Sequence, residues 1–222
     1  MLSTPRPRPT TTLYGVLGLL AVRPMSNYEL AKHFDRSLGR LWPRARSKLF
    51  EAPKKLEALG LARATKGRVG LRPRTVYTIT PKGRRALAAW LHEPGSGPEL
   101  EFEQLLKVFF ADHGTKEAAA ANIEAARDWA RTQIDEHIAV GRSYLEGAGT
   151  FQERFAVNQI TGSFHARFAL TVERWATWAL GVVESWPEDP RRAVPDTRSI
   201  EQLLLELETV RTTATGVEPS EI

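Results

Sequence analysis

Arg44, Arg46, Lys48, Lys54 and Lys55 crowd one short stretch of this chain, and Lys66, Arg68, Arg72 and Arg74 crowd another. Guanidinium and ammonium groups at such spacing do one kind of chemistry well: they neutralise a row of phosphates. Leu49, Ala52, Pro53, Leu56 and Leu59 recur at helical spacing through the first stretch, which puts its cations opposite an apolar stripe. The second stretch holds a Gly- and Pro-rich turn, 67–74, between segments of strand character at 61–66 and 75–79. A basic helix face fits a major groove about 12 Å wide. A basic hairpin tip lies against a phosphate backbone or reaches a minor groove. Arg44, Arg46, Ser47 and Lys48 begin the helix and would approach base edges; Lys54, Lys55, Lys66, Arg68, Arg72 and Arg74 would hold phosphates.

A basic helix face by itself is more often merely solvated. The division of charge along the chain argues against that here. Residues 1–94 carry 19 Lys and Arg against 5 Asp and Glu, whereas residues 95–222 carry 12 against 21. One half is built to meet a polyanion and the other is not.

Other chemistries find little support. There is no cysteine, which excludes disulfides, thiolate metal sites and thiol catalysis. His33, His92, His113, His137 and His165 show no metal-ligand spacing, so no metal is expected. No phosphate-cradling glycine loop and no nucleophile elbow occurs, so neither a cofactor nor an enzymatic activity is expected. The apolar run 13–22 ends at Arg23-Pro24 and is shorter than the roughly 20 residues a bilayer span requires. It reads as a buried first helix, with no membrane partner and a cytoplasmic location.

The elements that must position the cations follow from local signals. Residues 1–10 alternate Pro with Arg and Thr and read as a disordered basic arm. Thr10 to Thr12 offer caps for a helix to Val22. Ser26 and Glu29 form a capping box for a second, in which Tyr28, Leu30, Ala31 and Phe34 supply apolar contacts. The third helix spans about 44–59, with Pro53 inside it at a cost of about 3 kcal/mol and an expected kink. Gly60 closes it, and Thr80-Pro81 starts a further helix ending near His92. Helix, helix, basic helix and basic hairpin form a winged helix-turn-helix over 11–94, followed by a linker at 95–98.

These residues resemble the winged-helix domain of PadR-like transcriptional regulators. Leu17-Gly18-Leu19-Leu20, Ser26-Asn27-Tyr28-Glu29-Leu30-Ala31, and Leu49-Phe50 followed by Lys54-Lys55-Leu56-Glu57-Ala58-Leu59-Gly60-Leu61 carry the likeness. Arg72-Pro73-Arg74, Tyr77 and Thr80-Pro81-Lys82-Gly83 complete it. The resemblance implies a DNA-facing role for Tyr28 and Phe50 as well. Two positions depart from the family. A tyrosine is usual where Phe50 stands, which removes a hydroxyl that could bond phosphate, and many relatives have glycine where this chain has Leu71.

The acidic half shows no strand pattern. Helices are expected over 99–113, from Thr115 to about Leu145, over 151–186, and in a stripe of Ile200, Leu203, Leu204, Leu207 and Val210 within a domain spanning 99–212; residues 213–222 form a tail. Phe155, Ile160, Phe164, Phe168, Trp175 and Trp178 are expected to pack. Trp129, Phe164, His165, Phe168, Trp175 and Trp178 form an aromatic set that either packs a dimer core or lines a pocket for a flat, apolar effector. The resemblance implies dimerisation through these helices and, in some members, response to phenolic or drug-like ligands. The fold expected is mainly α, with a winged helix-turn-helix, a small β-hairpin wing, and an all-α C-terminal dimerisation domain.

The expected function is sequence-specific binding of a palindromic double-stranded DNA operator by a homodimeric regulator, a repressor, open to control by a small aromatic effector. Two alternatives are a winged-helix protein-interaction module and a small-molecule-binding protein with secondary DNA binding.

Overall fold

The computed structural model describes residues 8–36, 38–39, 41–42, 48–69 and 72–215. The chain divides into two compact units, Met1–Pro98 and Glu99–Ile222.

The first unit opens with helix α1, Thr11–Val22, capped by the Thr10 hydroxyl accepting from the Leu13 amide. Tyr14, Val16, Leu17, Leu19 and Leu20 are buried, as an almost uniformly apolar helix requires. Two residues of strand, β1 (Met25–Ser26), lead into helix α2, Asn27–Arg36. Leu30 and Phe34, four apart, point into the core. Tyr28 stands two residues before Leu30, on the opposite side of the helix, and is 75% exposed. It supplies no core contact, contrary to the sequence reading.

The third helix also differs from expectation. Residues 48–51 form a tight turn, and helix α3 covers only Ala52–Ala58, with Pro53 in its first turn. A first-turn residue has no intrahelical acceptor for its N–H, so proline costs nothing there. The expected interior kink therefore does not arise. Gly60, at a φ of +69°, then turns the chain in the left-handed region that favours glycine.

Strands β2 (Ala62–Val69) and β3 (Arg72–Ile79) pair antiparallel from Ala62 opposite Ile79 to Val69 opposite Arg72. The turn expected over 67–74 is thus mostly strand, and its remaining two residues lie outside the described ones. β1 pairs with the other edge of β3, Met25 opposite Tyr77 and Ser26 opposite Val76, completing the sheet order β1-β3-β2. Pro73 lies beyond the reach of β1, where β3 has a single neighbour and tolerates a missing donor. Helix α4, Pro81–Leu91, starts at Thr80, whose hydroxyl accepts from the Gly83 amide at 3.0 Å. Its Trp90 stacks on Tyr14 of α1 at 4.8 Å.

The second unit is helical. Helix α5 is Glu103–Phe109, shorter than the expected 99–113, with a separate 3-10 turn at Ala111–His113. Two long helices, α6 (Lys116–Leu145) and α7 (Phe155–Glu184), form an antiparallel hairpin, and α8 is Thr197–Thr215. Thr115 caps α6 by accepting from the Ala118 amide at 3.1 Å. The α6–α7 seam is lined by small residues: Ala119, Ala126 and Ala130 face Ala176, Ala179 and Val172, with Ile123 fully buried. Lys116 Nζ donates to the carbonyls of Glu184 and Trp186, closing the open end of the hairpin. The fold is mainly α, a winged helix-turn-helix followed by a helical C-terminal unit.

Candidate nucleic-acid interface

Three described segments of the first unit bring cations expected to face DNA to solvent. Lys48 and Phe50 are exposed on the turn before α3, while Leu49 between them is buried and anchors it. Lys54 and Lys55 follow on the exposed face of α3, and Lys55 Nζ donates to Glu51 at 2.8 Å. That pairing lowers the Glu51 carboxyl below its ordinary range. On the wing, Lys66 and Arg68 are exposed two residues apart on β2, so strand alternation gives them one face. Arg63, which sequence reasoning passed over inside an apparent strand, is exposed on the other face. Its signal was the alternation itself: the buried Ala62 beside it marks an outward position.

Arg44, Arg46 and Ser47 lie outside the described residues. The backbone of Arg72 ends the wing strand opposite Val69.

Arg74 is placed differently from the other cations. Its guanidinium donates to Glu29 Oε2 at 2.7 Å, across 45 residues of sequence. The same oxygen accepts from the Ser26 amide at 2.8 Å and the Ser26 hydroxyl at 2.7 Å, while the Glu29 amide donates back to Ser26 Oγ at 3.4 Å. The capping box of α2 and an ion pair to the wing therefore share one carboxylate. The hydrogen bonds from Ser26, reinforced by Arg74, outweigh burial and bring the Glu29 carboxyl from 4.5 down to about 2. Tyr28, next to it in sequence, is exposed.

The aromatic set does not form one site. Trp175 and Trp178, with Trp186, Leu105, Phe109 and Val182, line an apolar cleft of about 430 Å³. Trp129 and Phe168 line a smaller one, about 200 Å³, with Leu100, Phe102 and Val172. His165 stacks on His137 across the hairpin at 6.2 Å, and Phe164 is mostly exposed; neither borders the two clefts. Ile160 is exposed as well, contrary to the packing expected of it. Residues 160 and 164 lie on α7 beyond the stretch that the alanine seam buries, while Phe155 packs as expected, stacked on Tyr144 at 4.8 Å. Trp129, 39 residues before Phe168 in sequence, meets its ring edge to face at 6.1 Å.

Residues 16–89 match the model of the PadR-like transcriptional regulator family. The match spans most of the winged unit, which is similar to that family. A second family model, virulence activator alpha C-term, matches residues 103–184 of the helical unit. Among curated proteins, a probable transcriptional regulator of Mycobacterium tuberculosis is 35% identical over 82 residues, 36% of this chain and 43% of that protein. The negative transcriptional regulator PadR of Bacillus subtilis is 30% identical over 99 residues, 44% of this chain and 54% of that protein. The chain thus spans about half the length of the curated relatives it matches. The solved structure of Bacillus subtilis PadR in complex with operator DNA superposes with a TM-score of 0.67 at 20% identity, covering 78% of this chain and 99% of that one. The same Bacillus protein in complex with p-coumaric acid gives 0.62 at 20% identity, covering 79% and 100%. At such identity these likenesses establish the PadR-like fold. No helix among the described residues is long and apolar enough to cross a membrane.

Proposed function

We propose that this PadR-like chain is a DNA-binding transcriptional regulator that acts as a homodimer on a palindromic operator, as a repressor. One observation carries the reading. Lys48, Lys54, Lys66 and Arg68 all stand in solvent on a winged helix whose fold is shared with a relative solved on operator DNA. Lys48 and Phe50 of the turn, with the exposed Tyr28, serve base edges and sugar; Lys54, Lys55, Lys66 and Arg68 serve phosphates, setting affinity and register. Arg44, Arg46, Ser47 and Arg72 complete the interface.

Dimerisation is supported by the second unit. Ile200, Leu203, Leu204 and Leu207 of α8 and Leu106 and Phe109 of α5 stand at 52–77% exposure, an apolar surface that a monomer seldom leaves to water. A twofold partner would set the half-site spacing at about 34 Å, one helical turn of DNA. The larger cleft, of a size that suits a small ligand, is the place for a flat aromatic effector, which would act through differential affinity for two dimer states.

The deciding experiment measures binding to the gene's own upstream DNA against a scrambled duplex of equal length at two salt concentrations. Selectivity of about 10³-fold or more with a steep salt dependence supports the proposal. Equal, weak binding to both duplexes refutes a specific operator at that place and favours an acidic protein as the partner of the basic face.

A further inference from the structure

We propose that Glu29 and Arg74 form a brace that sets the position of the wing for DNA binding, so that Arg74 serves as a positioning residue and leaves phosphate binding to the other wing cations, Lys66 and Arg68 among them. The inference rests on the DNA-binding reading above and concerns how that interface is held.

Three observations support it. First, β1 reaches only Val76 and Tyr77 of β3, so from Thr75 outward the wing is a two-stranded ribbon. Two strands alone are marginally stable in water. Arg74 lies on that ribbon, opposite Gly67 and thus between the cross-strand positions of Lys66 and Arg68. Its 2.7 Å pair with Glu29 ties the ribbon to α2 at the point that decides where those two cations stand. Second, the partner carboxylate is itself fixed. Glu29 Oε2 receives the Ser26 amide and hydroxyl, so the brace is anchored to the first turn of α2 and to β1 together. Third, the charges require it. Glu29 is next to Tyr28, on the surface assigned to DNA, and a bare carboxylate there would repel phosphates. Arg74 cancels that charge, and a guanidinium already engaged with a carboxylate has less to offer a phosphate.

The test uses the full chain and a labelled 30-base-pair duplex of random sequence, which needs no knowledge of the operator. Affinity is measured across salt for wild type, R68A, R74A, R74K, E29Q and the E29Q/R74A pair. Gln at position 29 retains the reciprocal capping bonds, and amide exchange in α1 checks that each variant stays folded. R68A should lower the slope of log affinity against log salt by about one. R74A should weaken binding roughly threefold to tenfold with the slope unchanged. E29Q should match it, the double variant should be no weaker than either single one, and R74K should recover most of the loss. In E29Q, the amides of residues 66–69, 72 and 74 should exchange faster while those of α1 do not. A slope reduced by about one in R74A, or tighter binding in E29Q as Arg74 is released, overturns the brace and returns Arg74 to the phosphates. Wild-type chain without salt-steep binding overturns both this inference and the reading it rests on.

Discussion

Replacing Gly83 by alanine should strongly destabilise the winged unit. Gly83 sits in the first turn of α4, where a Cβ would lie 2.1 Å from the Leu61 carbonyl oxygen and 2.9 Å from Ile79 Cγ1. Ordinary carbon–oxygen contacts are about 3.3 Å or longer, so α4 would have to retreat by about 1 Å. Both opposing atoms belong to fixed structure, one to the backbone and one to a buried side chain. Retreat also strains the Thr80 joint, where the amide donates to Leu61 O at 3.0 Å and the hydroxyl to Gly60 O at 2.8 Å. Overpacking costs about 1–3 kcal/mol. Losing two hydrogen bonds adds about 0.5–1.5 kcal/mol each. A total of about 2–6 kcal/mol competes with the roughly 5–15 kcal/mol expected of a domain this size. Hydrogen exchange should show the α1 and β3 amides losing protection by that amount, with those of α6 and α7 unchanged. A loss under about 1 kcal/mol would refute the reasoning, because it would mean α4 yields freely at that contact.

The remaining predictions concern the carboxylate joint, the hairpin seam and the exposed stripe. Glu29 has a folded pKa of about 2 against 4.5, so its stabilisation is fully present above about pH 4.5 and is lost as pH falls toward 2. The stability gap between wild type and E29Q, on the order of 1–2 kcal/mol after solvent screening, should therefore be constant near neutrality and close between pH 5 and 2 in acid titrations of the winged-unit amides; a pH-independent gap contradicts it. Ala126→Leu forces a larger side chain into the α6–α7 seam and should cost about 1–3 kcal/mol, read from exchange at the α7 amides. Leu204→Asp places a charge on the α8 stripe and should shift a dimer toward monomer in sedimentation velocity; an unchanged distribution removes α8 from the interface. Thr115→Ala removes the α6 cap and should cost about 1 kcal/mol by the same exchange measurement.

What could be read from the sequence is what is decided within a few residues. Thr10, Thr80 and Thr115 cap helices because their hydroxyls meet amides three positions ahead, and Ser26 with Glu29 closes a capping box by the same short reach. Uniform apolarity buried α1, and the pairing of Leu30 with Phe34 found the inner face of α2. The charge division separated the two units because net charge needs no fold to be counted. Where several local signals compete, the sequence was less legible. The apolar spacing of 49–59 suggested one long helix, but Pro53 lacks the N–H an interior residue needs, so the helix begins beside it.

Tertiary structure decided whatever depends on contacts between distant residues. β1 is two residues long, too short for any periodicity, and exists as strand only because β3 lies alongside. The aromatics of α7 look like one set in sequence. The antiparallel run of α6 buries one part of their helix, places Trp175 and Trp178 on one cleft and Phe168 on another, and leaves Phe164 to solvent. Arg74 reads as one more cation of a basic tip. Only folding, which brings Glu29 to it across 45 residues, gives that charge a partner. Local hydrogen bonds and composition specify the pieces and their polarity; the pairing of charges and the sharing of surfaces follow from how the chain closes on itself.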